Sequence, residues 1–175
     1  MEAPLRAWLP RLLLIGVVLL AVQTSIATEL RPFGVAIQLV LACAAAAGAA
    51  SGSTEGAIAG FLLGLMYDLG TGTPLGATAL TMAFGGYVAG WGRQYRIEPR
   101  WWILAGLTAV GAAAGEAAVP LVRVMIGETD VISRQMLVIV PVVAVAAAAL
   151  SPLFVPTMRW ALRIRPVELR LPADA

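Results

Sequence analysis

Histidine and lysine are absent from this 175-residue chain, cysteine occurs once, and charged residues make up only 13%. Without histidine, imidazole acid–base catalysis and His-ligated metal sites are excluded. Without lysine there is no amine nucleophile of the Schiff-base kind. The lone Cys43 has no intrachain disulfide partner. In its alanine-rich run it reads as a small buried hydrophobe, so it says nothing about redox compartment. The sequence contains no phosphate-binding loop, catalytic triad or metal-ligand spacing, which leaves a catalytic reading with little to stand on. The formal net charge is only +2, so the placement of charge is more informative than its sum.

Apolar residues are abundant instead: 60% of the chain is hydrophobic before glycine is counted, and mean hydropathy is +0.87. Leaving out the 3 Tyr and adding the 18 Gly gives roughly 69%, against about 45–50% for an ordinary soluble domain. A soluble globular domain is excluded, and so is disorder, which needs low hydrophobicity and high charge. The composition is that of an integral membrane protein. A helix needs about 20 apolar residues to cross the bilayer core. After tails and loops, the chain has room for five or six crossings in one compact bundle, a single polytopic membrane domain over residues 1–175.

Apolar runs predict helices at about 12–28, 33–52, 55–69, 75–91, 101–126 and 135–158. Ser25-Ile26-Ala27 superficially fits a signal-peptidase site, but the polytopic continuation favours an uncleaved first helix. Pro32 interrupts helical continuation after Glu29. The polar stretch from Ser51 to Glu55 separates the second and third helices, with Ser53 or Thr54 as a cap and Glu55 in the first turn. Gly70-Thr71-Gly72-Thr73-Pro74 is a turn-forming cluster.

Arginine placement sets the orientation. With six crossings, one side carries Arg6, Arg11, Arg93, Arg96, Arg100, Arg159, Arg163, Arg165 and Arg170, and the other carries Arg31, Arg123 and Arg134. Nine against three puts both termini in the cytoplasm. Trp91, Trp101, Trp102 and Trp160 fall at the same predicted boundaries, where indoles anchor. These arginines either determine topology alone or also bind anionic lipid headgroups or a cytoplasmic protein.

Gly52, Gly56, Gly60 and Gly64 are spaced by four, and Asp68 continues the series. Small residues at this spacing let helix backbones approach closely. Gly86 and Gly90, and Gly111 and Gly115, repeat the pattern. Such rows either close the bundle internally or present a face to a partner helix. Asp68, beside the turn, either caps the fourth helix or meets a partner or ion. As a cap it should tolerate Asn nearly as well as Asp. Glu116 lies midway along the fifth helix, and Arg123 two turns further along the same side is too far to pair without bending. A buried glutamic acid there either hydrogen-bonds to Thr or Gln of another helix or marks a binding site.

The run Gly56 to Leu69 with its G-F-x-x-G-L-x-x-D core (Gly60, Phe61, Gly64, Leu65, Asp68), then Pro74-Leu75-Gly76, then Gly86-Tyr87-Val88-Ala89-Gly90, resembles the rod shape-determining protein MreD family. The strong match covers Gly56 to Gly90, and the helix layout extends it loosely over the rest. The resemblance implies an all-α six-transmembrane-helix bundle, similar to the S components of energy-coupling-factor transporters. It also implies a multi-pass subunit of the bacterial cytoplasmic membrane, working in cell elongation. Implied partners are MreC, a bitopic membrane protein, the actin-like MreB, the RodA glycosyltransferase and a penicillin-binding transpeptidase, with membrane lipid around them and no nucleic acid. No catalysis and no cofactor are implied. Gly56, Gly60, Gly64, Asp68, Pro74, Gly76, Gly86, Tyr87 and Gly90 are the residues expected to shape the core or the partner interface. The alternative is a vitamin-binding S component, for which the outer loops offer few convergent groups: Asp68, Glu128, Asp130, Arg123 and Arg134. A small channel or carrier built on Glu116 is the third reading.

Overall fold

A computed structural model describes residues 5–25, 35–95, 100–127 and 135–162. The described residues form six α-helices: α1 (Leu5–Ser25), α2 (Leu39–Ser51), α3 (Ser53–Thr71), α4 (Ala77–Trp91), α5 (Trp101–Met125) and α6 (Met136–Ala161). A short 3₁₀ turn, Gly92–Tyr95, follows α4. Ile26 and Ala27 of the cleavage-like site, Arg31, Arg96, Glu128, Asp130, Arg134 and the tail arginines Arg163, Arg165 and Arg170 lie outside the described residues, as does the side chain of Arg6.

α2 is the central element. Every residue from Val40 to Ala50 is buried, and α3, α4, α5 and α6 all pack against it. Its sequence explains the position: seven alanines, one glycine and one cysteine among its thirteen residues leave a thin cylinder that neighbours can approach from all sides. Around it, α3 packs on α4, α4 on α5 and α5 on α6, while α1 lies outermost, mainly against α3. Successive helices run antiparallel. One end of the bundle therefore collects the starts of α1, α3 and α5 with the ends of α2, α4 and α6.

α1, α5 and α6 are long and apolar enough to cross a membrane, so the chain has membrane character. The six full crossings expected from hydropathy are not all of this kind. α2 has 13 residues and α4 has 15, about 20 Å each at helical rise. α3 is 19 residues long, but glycines and two carboxylates dilute its apolar character. The second helix also begins later than the expected residue 33. Val35 to Gln38 are non-helical, because Gln23 of α1 occupies the backbone there. Its Nε2 donates to the Ile37 carbonyl (2.8 Å) and its Oε1 accepts from the Leu39 N–H (2.7 Å). A helix begun at 33 would need the Ile37 carbonyl for its own ladder.

The break between α2 and α3 is narrower than the sequence suggested. Gly52 alone lies outside the helices, with φ 112° and ψ 176°, a conformation essentially restricted to glycine. Gly52 is itself the N-cap of α3, and no side chain caps it. The expected caps Ser53 and Thr54 fall inside the helix, whose first turn does hold Glu55.

Glycines close the centre of the bundle. A Cβ on Gly48 of α2 would collide with the Gly86 carbonyl of α4. One on Gly56 of α3 would stand 2.5 Å from that same oxygen and collide with Gly48 Cα, and one on Gly86 would strike the Gly56 carbonyl. Three backbones thus meet at Gly48, Gly56 and Gly86. The contact continues along α3 and α4, where Gly60 faces the Met82 carbonyl and Gly64 faces Ala79 Cα at 2.5 Å from its would-be Cβ. A second face of α4 meets α5, with Gly85 against the Gly111 carbonyl at 2.8 Å.

Overpacking of this kind costs about 1–3 kcal/mol. Gly86→Ala should therefore lower the melting temperature of the detergent-solubilised protein clearly. Gly106→Ala, whose Cβ meets nothing within 4 Å, should leave it unchanged or raise it.

Candidate functional site: the Asp68 turn and the Glu116 cleft

The motif-bearing stretch folds as one unit, α3–turn–α4. Asp68 sits in the last turn of α3 and is 1% exposed. Both of its oxygens are fully engaged. Oδ1 accepts from Thr73 Oγ1 (2.8 Å) and the Thr78 N–H (3.2 Å), and Oδ2 accepts from the N–H groups of Gly76 (2.9 Å) and Ala79 (3.3 Å). The first turn of α4 leaves N–H groups without intrahelical partners. Asp68 supplies acceptors to two of them from across the turn and places negative charge at the positive end of α4. Of the two roles considered for Asp68, the hydrogen bonds describe a cap. Gly76, the N-cap of α4, has φ 93°, a left-handed conformation that glycine adopts without steric cost. At the other side of the turn, the Gly72 N–H closes on the Asp68 carbonyl (3.0 Å).

This geometry corrects one expectation. Because both carboxylate oxygens accept, Asn cannot stand in for Asp. In its better orientation the NH₂ would lie beside the Thr73 hydroxyl, which can accept, but it would still face the Thr78 N–H and leave that donor unpaired.

The remaining motif residues separate into two groups. Gly56, Gly60, Gly64, Gly86 and Gly90 are buried and consumed by contacts within the chain; Gly90, for example, packs on the backbone of Gly52 and Ser53. Pro74 lies exposed in the turn. Tyr87 is 48% exposed on the outer face of α4, in line with the exposed Leu80, Phe84 and Trp91. The glycine rows are therefore spent on the bundle, and the outward stripe is large and aromatic. Gly48 and Gly85, absent from the expected set, complete the internal contacts. Gly48 stands four residues before Gly52 and extends the same series, while Gly85 is obscured by its neighbour Gly86.

Glu116 lies on α5 and is 6% exposed. It does not stand alone, since Gln38 Nε2, just before α2, donates to its Oε2 at 2.7 Å. A glutamine partner for Glu116 is one of the two alternatives its position suggested; the start of α2 is thus held by Gln23 of α1 and, through Gln38, by Glu116 of α5. Arg123 is exposed. Glu116 and Gln38 line a cleft of about 420 Å³ with Val35, Gln135, Val138 and Ile139. This is the size class of small-molecule sites. Among the described residues, no three carboxylate or thiol side chains come together to hold a metal ion, and Cys43 is wholly buried.

No family model, curated protein or solved structure matches the chain.

Asp68→Asn should destabilise the solubilised protein by about 1–3 kcal/mol, the cost of a buried donor left without a partner. Thr73→Val, which removes one peripheral donor, should cost less. Thermal unfolding of both variants measures the difference.

Proposed function

We propose that the chain is a non-catalytic membrane scaffold subunit of the bacterial cell-elongation machinery, of the MreD kind. In this reading it associates with an MreC-like bitopic protein and, through it, with MreB, RodA and a penicillin-binding transpeptidase. The single observation that carries the proposal is the stretch Gly56 to Gly90, in which Gly60, Gly64, Asp68, Pro74, Gly76, Gly86 and Tyr87 keep the spacing of that family. Its support from the fold is that this stretch forms one α3–turn–α4 hairpin, packed against α2. The inward motif residues hold α3 to α4, and Pro74 and Tyr87 are left on the surface.

The glycines are engaged internally, so partner contact falls to the outward face of α4, where Tyr87 stands with Phe84 and Leu80. A single transmembrane helix of the partner lies against that stripe. All six helices cross the bacterial cytoplasmic membrane in this reading. The helices too short to span alone pack against longer ones. Both termini face the cytoplasm, in keeping with Arg11, Arg93, Arg100 and Arg159 at one end of the bundle and Arg123 at the other.

A second reading, a vitamin-binding S component, is favoured by the cleft at Gln38 and Glu116. It joins a buried carboxyl to amide groups near one end of the bundle, as a small-molecule site requires.

Affinity purification from crosslinked native membranes, with mass spectrometry of the captured proteins, separates the two. The scaffold reading predicts a bitopic partner together with a peptidoglycan polymerase. Capture of ATP-binding subunits with a coupling subunit would replace it by the transporter reading.

A further inference from the structure

A second groove opens at the opposite end of the bundle from the Glu116 cleft, between the start of α5 and the end of α6. It encloses about 270 Å³ and is lined by Trp101, Leu104, Ser151, Pro152, Val155, Pro156 and Arg159. Apart from Ser151 and Arg159, the side chains that line it are apolar. Pro152 cannot donate to the Ala148 carbonyl as a helical residue would, and the Ser151 hydroxyl donates to that carbonyl instead (2.8 Å). No unsatisfied polar group is therefore exposed to the groove by this break. The volume falls below the about 300 Å³ at which enclosed small-molecule pockets begin, and the lining runs along α6 from Ser151 to Arg159.

The mouth of the groove is basic and aromatic. Arg159 lines it, and no carboxylate among the described residues pairs with Arg159. Arg100 precedes Trp101 and is exposed. Arg11 donates to the Trp160 carbonyl (3.3 Å), and its guanidinium lies 4.8 Å from the Trp160 ring centroid. All five tryptophans, Trp8, Trp91, Trp101, Trp102 and Trp160, stand at this end. Indoles gather at the level of lipid headgroups, and basic pockets between helices at that level hold anionic headgroups.

We propose that this groove binds one anionic phospholipid, with its phosphate on Arg159 and part of an acyl chain along Leu104, Pro152, Val155 and Pro156. The site rests on the membrane location of the chain alone and is independent of its role in cell elongation. Arg159 supplies the charge recognition, and Trp101 and the two prolines shape the trough beneath it.

Native mass spectrometry of the full chain, released from bilayers containing equal phosphatidylglycerol and phosphatidylcholine of identical chains, tests the site. The wild type should retain one phosphatidylglycerol in preference to phosphatidylcholine. Arg159→Gln should reduce that retention about fivefold, the weight of roughly one basic residue beside an anionic headgroup. Arg123→Gln removes the same charge at the other end and should leave retention unchanged. Pro152→Trp fills the trough while restoring a helical donor, and should abolish retention in a folded protein even if Arg159→Gln fails to fold. Equal retention of the two lipids, equal loss in Arg159→Gln and Arg123→Gln, or full retention in Pro152→Trp would each overturn the proposal.

Discussion

Three backbones share one point at Gly48, Gly56 and Gly86, and the arrangement of the bundle follows from that approach. Inside a membrane, lipid tails are as apolar as leucine, so burial of apolar surface does little to draw helices together. Close packing and well-placed polar contacts must do it. Glycine on α2, α3 and α4 removes the side chains that would hold the cylinders apart. The alanines of α2 let α5 and α6 close from the remaining sides. A thin central helix thus becomes the axis on which the longer helices α5 and α6 are laid. α1, which has little contact with the axis, packs on α3 and is tied at its two ends by Gln23 at the start of α2 and by Arg11 on Trp160.

The polar residues inside the bundle complete this arrangement. Among the described residues, no buried side-chain nitrogen or oxygen lacks a hydrogen-bond partner. Asp68 accepts from the N–H groups of Gly76, Thr78 and Ala79 at its turn, and Gln23 takes the place of a cap at the start of α2. Thr108 donates to the Leu104 carbonyl one turn back (2.8 Å), and Ser151 answers the break made by Pro152. An unsatisfied group in hydrocarbon costs several kcal/mol, so each of these bonds is a condition of the fold rather than an ornament to it. Glu116 is satisfied by Gln38 and yet borders a cleft, which makes it the polar group best placed to meet something from outside.

The helices themselves were legible in the sequence because apolar runs and their Gly/Pro punctuation are local signals. The ends of α3, α4, α5 and α6 fall within a few residues of the expected ones. The start of α2 was not legible: it is set by Gln23, which reaches it from another helix. The glycine row on α3 was visible as a spacing, but which neighbour it meets depends on topology. Spacing alone favoured internal packing but left partner docking open, and the structure places the row inside. Asp68 could be recognised as a capping residue from its place beside the turn. That both its oxygens are used, and hence that Asn is a poor substitute, required the geometry. A glutamine partner for Glu116 was among the alternatives its burial offered, but Gln38 and Gln23 carry no motif and no periodicity, so which glutamines position α2 depended on the fold.

With the glycine faces closed, the scaffold reading places its partner on the outward aromatic stripe of α4. The most direct test is to install a photoreactive amino acid at Tyr87 in native membranes and, separately, at Met82, which is buried. The account predicts an adduct from position 87 to a single-span membrane protein, and only intramolecular products from position 82. An adduct to that protein from position 82, or none from any outward position of α4, would contradict it.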